Sequence, residues 1–140
     1  MKKIAVVFWS GTGNTAAMAD AVVKGAQAAG AGVMKIGAAD FGPGDVADYD
    51  AIAFGCPAMG SEQLEDGEFE PMFDAVKGSL AGKTVALFGS YGWGDCEWMR
   101  NWEEDCKAAG AVLACESVTA NEAPDDDAVA ACKALGAALA

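Results

Sequence analysis

The sequence predicts an α/β protein in which a parallel β-sheet is covered by helices on both faces. Short apolar runs containing Val, Ile or Phe alternate along the chain with longer segments that have helical periodicity. The apolar runs are nearly continuous, which is typical of strands buried on both faces. Right-handed crossovers between such strands produce a doubly wound three-layer sandwich. The 140 residues contain no internal repeat or linker-like segment, so we expect one domain spanning residues 1–140.

The elements are predicted from these runs in order along the chain. A β-branched run at 3–8 forms the first strand, and the following Ala-rich segment at 14–30 has apolar residues at four-residue spacing and ends at a glycine, as helices often do. A second strand is followed by a polar connection at 40–50 that contains glycine. The predicted strands cover residues 3–8, 31–36, 51–55, 83–89 and 111–118. The predicted helices cover residues 14–30, 68–80, 95–110 and 125–140. In the third helix Trp98 and Trp102 lie on one stripe, and we assign both to core packing.

Composition excludes several classes of function. Nine Lys and Arg residues against 21 Asp and Glu residues leave a formal net charge of -12. Binding to nucleic acid or to an anionic membrane surface needs clustered basic residues, so we expect neither. An acidic surface favours partners with basic patches, although acidity also serves solubility alone. The absence of histidine removes the usual general base and any Ser-His or Cys-His nucleophile pair.

The cysteines and the N-terminus indicate a reducing compartment. The five cysteines form no CxxC pair, which disfavours zinc, iron–sulfur and dithiol sites and leaves buried free thiols as the simplest interpretation. No apolar run approaches the ~18 residues that span a membrane. The N-terminal apolar stretch lacks a small-x-small cleavage site, so we interpret it as a strand and expect a cytoplasmic location.

In a doubly wound sheet, ligands bind outside the carboxyl ends of the strands. That rule selects four predicted loops, at 9–15, 56–67, 90–94 and 119–124. The first contains SGTGNT, which lacks the lysine of a nucleotide-triphosphate loop and does not fit the dinucleotide fingerprint. Backbone N–H groups at a helix N-terminus, with the hydroxyls of Ser10, Thr12 and Thr15, can hold one phosphate without a cation. Such a nest suits a phosphate that is kept rather than transferred, whereas the alternative is an ordinary turn with capping hydroxyls.

The second and third loops contain residues that suit a flat ring. Trp93 lies between Gly92 and Gly94, where little core is available, so its indole can stack on a planar ligand. Met59 can cover the opposite face, Gly60 can adopt a turn with positive φ, and Glu62 can accept a hydrogen bond from a ring N–H. Each also has a simpler interpretation: Met fills a gap, Gly forms a turn and Glu is solvated.

Four stretches, WSGTGNT, GCPAMGSEQLEDGEFEP, ALFGSYGWGDCEWM and NEAPD, resemble those of short-chain flavodoxins and occur in the same order over nearly the whole chain. The resemblance implies a flavodoxin-like five-stranded parallel sheet in the order 2-1-3-4-5 and no insertion after the fifth strand. It also implies a noncovalently bound FMN and an electron carrier rather than an enzyme.

The resemblance assigns roles to individual residues. The phosphate would be held by the loop residues Ser10, Gly11, Thr12, Gly13, Asn14 and Thr15, with help from Ser90. Met59 and Trp93 would sandwich the isoalloxazine, Glu62 would meet its N3–H, and the backbone of residues 92–94 would face its pyrimidine end. The peptide of Gly60 would turn over on reduction to meet the N5–H of the semiquinone. The remaining implied FMN contacts are Pro57, where some relatives have serine, with Ala58, Tyr91 and Asn121.

The same residues imply a low reduction potential. The fully reduced flavin tends toward an N1 anion, which would form near Glu62 and a negative surface, without a basic side chain on these loops. We therefore expect a low-potential one-electron carrier that cycles mainly between semiquinone and hydroquinone, with redox tuning by Met59, Gly60, Glu62 and Trp93. The acidic run at 62–70 borders the second loop and suits docking of flavin or iron–sulfur oxidoreductases through their basic patches, although a solvated helix entrance explains it nearly as well. We expect a monomer.

Three other functions are compatible with this topology, and each needs features that the sequence lacks. A flavin-dependent quinone or nitro reductase needs a second substrate pocket, for which 140 residues leave little chain. A receiver domain needs an acceptor Asp at the end of the third strand, where Gly55 and Cys56 stand instead. A small phosphatase needs an Arg a few residues after a loop Cys, and Arg100 is the only arginine in the chain.

Overall fold

The computed structural model describes residues 2–11, 13–60 and 62–140. A parallel β-sheet forms the middle layer. Its strands are β1 (Lys3–Phe8), β2 (Gly32–Gly37), β3 (Ala51–Gly55), β4 (Thr84–Tyr91), β5 (Val112–Leu113) and β6 (Val118–Asn121). The α-helices are α1 (Asn14–Ala28), α2 (Phe69–Val76), α3 (Glu97–Ala108) and α4 (Asp126–Leu139). Short 3₁₀ helices at Ala38–Asp40, Pro43–Asp48 and Lys77–Ser79 complete the connections, two of them in the segment between β2 and β3.

The sheet has the predicted order. Along the path the strands follow β2-β1-β3-β4-β5, with every pair parallel, and β6 also pairs with β4. The fifth position of the sheet is therefore occupied by two short strands in line. The three-layer flavodoxin-like fold expected from the sequence is confirmed.

The prediction of one continuous fifth strand over 111–118 is wrong. Leu113 pairs with Val85 and Val118 pairs with Phe88, so residues 114–117 lie opposite only residues 86–87. The surplus residues must leave the ladder, as in a bulge. In this segment the Ser117 hydroxyl donates a 2.8 Å hydrogen bond to the Glu103 carboxylate on α3.

The prediction that residues 90–94 form a turn is wrong for its first two residues, since β4 continues to Tyr91. Likewise residues 119–121, predicted as loop, belong to β6. The two extensions pair with each other, from Phe88 opposite Val118 to Tyr91 opposite Asn121. Pairing across the sheet therefore accompanies the extension of both strands to polar residues, including Asn121, a residue type that is depleted in strands.

Each face of the sheet covers a separate hydrophobic core. The face under α2 and α3 buries an aromatic cluster, and Trp98 and Trp102 are buried in it as predicted. The members of that cluster in edge-to-face or stacked contact are Phe54, Phe69, Phe73 and Trp102. The face under α1 and α4 is packed mostly by small and aliphatic residues, with Phe88 from the sheet.

All five cysteines are free thiols, and three of them are buried: Cys56, Cys106 and Cys132. Burial raises the pKa of each of these three thiols to about 12. No helix in the described part of the chain is both long and apolar enough to cross a membrane.

Candidate functional site

The site lies where the strands end, and β4 forms its floor. Residues 89–91 continue β4 past its pairing with β3, and the chain leaving β3 runs alongside them. The Ala58 N–H donates to the Ser90 carbonyl at 3.0 Å. This approach is close enough to require glycine at position 89, because a Cβ there would lie 2.1 Å from the Cys56 carbonyl oxygen. The second and third predicted loops are therefore joined at their bases.

The first loop presents hydrogen-bond donors at the N-terminus of α1. Gly13 precedes the helix in the left-handed conformation, with φ of 97°, and no side chain at that position caps the helix. The Ser10 hydroxyl accepts hydrogen bonds from the Gly13 N–H at 3.1 Å and from the Ala16 N–H at 3.2 Å. The first turn of α1 has no acidic residue, so the positive end of the helix dipole is not neutralised by its own side chains. An anion can take the place of the Ser10 oxygen at these donors.

The Thr15 and Ser90 hydroxyls connect this loop to β4. Their oxygens are 2.9 Å apart and share a hydrogen bond, and both residues are buried. The Ser90 N–H also donates to the Thr15 hydroxyl, at 3.4 Å. The two predicted phosphate contacts from distant parts of the chain are thus adjacent. Thr12, also predicted to hold the phosphate, lies outside the described residues.

A cavity of about 530 Å³ opens beside these elements, within the range of small-molecule pockets. Of the predicted site residues that the structure describes, eight line it: Gly11, Asn14, Pro57, Ala58, Met59, Ser90, Tyr91 and Gly92. Because residues of the phosphate loop and of the two ring loops share one cavity, a single elongated ligand can contact all three.

Within the described part of the chain, three more residues line the cavity that were not predicted: Trp9, Glu122 and Ala123. Trp9 directly follows β1, and its ring lies close to Gly11, 3.0 Å from where a Cβ on that residue would be. Its position at a strand's carboxyl end was an available signal, since aromatic walls are typical of such pockets. Glu122 adopts a positive φ of 58° and donates its N–H to the Tyr91 carbonyl at 2.7 Å, an arrangement with no clear sequence signal.

The tip of the second loop is a narrow turn. Met59 and Gln63 form an antiparallel pair through N–H···O bonds of 2.8 and 3.0 Å. Gly60, inside this turn, has φ of +51°, so the expected positive φ is confirmed. Gly60 does not belong to the lining of the cavity in this structure.

Glu62 is engaged at the N-terminus of α3 rather than in the cavity. Its carboxylate accepts a hydrogen bond from the Glu97 N–H at 3.2 Å, while its other oxygen is buried without a partner among the described residues. The side chain rests on Gly94, where a Cβ would lie 2.2 Å from a carboxylate oxygen. Glu62, Asp95 and Glu97 hold carboxylate oxygens within 4.8 Å of one another, which concentrates negative charge beside the third loop.

The other predicted residues that the structure describes do not line the cavity. Trp93 is 66% exposed and stands out from the surface. The Asn121 side-chain amide lies 3.5 Å from the Tyr91 carbonyl, to which it donates. Tyr91 itself packs at a tilt against Trp98, with ring centroids 5.8 Å apart, and this contact supports the cavity wall from the core.

This chain is similar in sequence and in structure to known proteins. The sequence model of the flavodoxin family matches residues 6–135. The chain belongs to the flavodoxin family. A flavodoxin of Megasphaera elsdenii is 47% identical over 137 residues, covering 98% of each chain, and one of Clostridium beijerinckii is 42% identical over 121 residues, covering 86% of this chain and 88% of the relative. The solution structure of the two-electron reduced Megasphaera elsdenii flavodoxin superposes with a TM-score of 0.90 at 46% identity, covering 97% of each chain.

Flavodoxins bind FMN and carry electrons, and this chain is accordingly an FMN-binding electron-transport flavoprotein. The site fits that cofactor. Its apolar and aromatic walls suit a flat ring, and the N–H groups of α1 beside it suit a phosphate. FMN supplies one-electron redox chemistry when it is bound, and the protein supplies binding, orientation and the local electric field.

Proposed function

We propose that this chain is a low-potential one-electron carrier that uses noncovalent FMN and cycles mainly between the semiquinone and the hydroquinone. The observation that carries the proposal is the charge around the cavity. Among the described lining residues there is no Lys or Arg, and the single charged one is the carboxylate of Glu122. A negative, partly desolvated site opposes the gain of negative charge on full reduction. Each 1.36 kcal/mol of that opposition lowers a one-electron potential by about 59 mV.

The residues of the site have distinct proposed roles. The phosphate would be held by residues 10–15 with Ser90, Met59 and Trp93 would cover the ring, and the peptide of Gly60 would respond to reduction. Glu62 would meet the ring N3–H with the carboxylate oxygen that has no partner among the described residues, while its other oxygen keeps the Glu97 N–H. Pro57, Ala58, Tyr91, Asn121 and the backbone of residues 92–94 would complete the contacts.

A carrier role, rather than that of an enzyme, is supported by the match to the Megasphaera flavodoxin. The two chains align over 137 residues and cover each other to 98%, which leaves no room for a large insertion that could build a second substrate pocket. Purified protein with FMN should not consume NADH unless a separate reductase is added. Consumption without a reductase would instead favour a flavin-dependent reductase.

The proposed partners are flavin or iron–sulfur oxidoreductases with basic docking patches, met in the cytoplasm by a monomeric carrier. Two carboxylates of the acidic run, Asp66 and Glu68, are exposed and available for docking. Electron transfer to such a partner should slow steeply as salt is added, because screening removes the electrostatic steering. A rate independent of ionic strength would reject this docking surface.

A spectroscopic titration tests the function itself. The protein reconstituted with FMN should be yellow, turn blue on partial reduction and lose that colour at a clearly lower potential. Free FMN under the same conditions is the control. Absence of FMN binding, or a second potential no lower than that of free FMN, would overturn the proposal.

A further inference from the structure

Glu65 differs from the other carboxylates of the acidic run because it is buried, with only 9% of its surface exposed. Both carboxylate oxygens are used. One accepts the Gly67 N–H at 2.7 Å, and the other accepts the Glu68 and Phe69 N–H groups at 2.7 and 2.8 Å. These donors are the amides that lead into α2, whose preceding residue has no side-chain cap of its own. The Glu65 side chain therefore caps this helix from the preceding turn and is not a solvated docking charge.

The backbone of Glu65 is bound on the other side to the start of the second loop. Its N–H donates to the Cys56 sulfur at 3.4 Å, and Cys56 directly follows β3. The Cys56 carbonyl in turn accepts the indole N–H of Trp98 at 3.2 Å. Residues 56 and 65 are thus joined across the base of the loop, and the Met59–Gln63 pair closes the same loop nearer its tip. The conformation at Gly60 is set between these two closures.

Burial and hydrogen bonding change the pKa of Glu65 in opposite directions. Desolvation by burial favours the neutral carboxyl, whereas the hydrogen bonds from Phe69, Glu68 and Gly67 favour the carboxylate, and the net effect lowers the pKa of Glu65. The ion pairs found among the described residues do not include Glu65. Its charge is held by backbone dipoles, so the carboxylate and the fold of the turn depend on each other.

We propose that Glu65 is a positioning residue for electron transfer. By fixing the 56–65 loop, it would keep the Gly60 turn in the conformation from which its peptide can contact the reduced flavin. The inference rests on the proposed function, because it assigns the redox response to that turn. If the proposal is right, weakening the hydrogen bonds to the Glu65 carboxylate changes the stability of the half-reduced flavin, although Glu65 itself does not touch FMN.

Glu65→Gln is the test variant, and Asp66→Asn is its matched control. Glutamine keeps the size of the side chain but places an NH₂ group against backbone N–H donors, so at least one amide loses its acceptor. Asp66→Asn removes the same charge from the neighbouring, exposed position. In the FMN-free protein, hydrogen exchange of at least one amide among residues 67–69 should accelerate at least tenfold in Glu65→Gln, and all three should stay unchanged in Asp66→Asn.

The redox measurement uses the FMN-loaded proteins. The formation constant of half-reduced FMN should fall at least about tenfold in Glu65→Gln, and much less in Asp66→Asn. Equal changes in the two variants would mean a simple charge effect and would overturn the proposal, as would wild-type amide exchange in Glu65→Gln. If the wild-type protein binds no FMN, the proposed function fails instead.

A milder variant covers the case in which Glu65→Gln does not fold. A Cβ on Gly67 would lie 2.7 Å from a Glu65 carboxylate oxygen, so Gly67→Ala displaces the carboxylate while leaving its charge in place. Faster exchange at residue 68 or 69 together with a reduced formation constant supports the proposal. Faster exchange with an unchanged formation constant overturns it.

Discussion

Replacing Gly60 by valine strains the backbone at a single residue and removes no side-chain contact. Gly60 has φ of +51°, in the left-handed region that β-branched residues disfavour. A Cβ added at this position meets no described atom within 4 Å, so the valine has space. The energetic effect of Gly60→Val is therefore expected to come from the backbone, not from packing.

The magnitude follows from that conformation. An L-residue in the left-handed region costs about 1–2 kcal/mol relative to glycine, with β-branched residues toward the upper end. If this left-handed turn is required by the half-reduced and fully reduced flavin but can relax in the oxidised protein, the cost falls on the first one-electron step, and the formation constant of the half-reduced flavin should fall by about 5–30-fold. The first one-electron potential should then drop by about 40–90 mV.

Reductive titration of the FMN-loaded variants, followed by absorption, measures this change. Gly82→Val is a closely matched control, because Gly82 also has a positive φ, +77°, and a Cβ added there likewise meets no described atom within 4 Å. Gly82 precedes β4 at the opposite end of that strand, so its strain should lower stability and leave both potentials unchanged. An unchanged semiquinone yield in Gly60→Val, or an equal loss in Gly82→Val, would contradict a role of the Gly60 turn in stabilising the half-reduced flavin.

Three further predictions concern stability and reactivity. Gly25→Ala should lower the melting temperature by about 3–10 °C, because the new Cβ would lie 2.0 Å from the Lys133 carbonyl and the close packing of α1 and α4 would have to open. The helix-propensity gain of about 1 kcal/mol is too small to offset this, and Gly78→Ala, with open space, serves as the control. Alkylation of the native protein at pH 8 should modify at most two of the five thiols, and full labelling without denaturant would contradict the burial of the other three: Cys56, Cys106 and Cys132. Because the folded pKa of Glu65 is lowered, its contribution to stability is complete above the unfolded pKa of about 4.3 and is lost as pH falls through the folded pKa. The difference in urea-unfolding free energy between wild type and Glu65→Gln should thus shrink as the pH falls below ~4, and a constant difference would contradict the assignment.

The fold was largely predictable because its strands are buried on both faces. A strand in this setting is a continuous apolar run, and residues 51–55 were predicted with the bounds that β3 has in the structure. The break in the fifth strand was not predictable in the same way. It coincides with a hydrogen bond between Ser117 and Glu103, which lie in different segments and share no sequence pattern.

The candidate site was also predictable only in part. Loop positions at the ends of β1, β3 and β4 identified most of the cavity, because parallel strands end at one edge of the sheet. The burial of Glu65 was not visible in a run of five acidic residues within 62–70, all of which look solvated in sequence. The hydrogen bond from the Glu97 N–H to the Glu62 carboxylate was not predictable either, because it depends on the distance between two loops.

The order of strands and helices, the glycine-rich phosphate loop without a cation and the negative charge of the chain can all be predicted from residue type and spacing within single segments. The exposure of each acidic residue and the lining of the cavity depend instead on how distant segments pack together. The contact between the hydroxyls of Thr15 and Ser90 depends on the same packing. Burial and hydrogen bonding are properties of pairs of segments. Glu65 is a helix cap and Asp66 a surface charge because one turn points the first carboxylate at three N–H groups and the second at water.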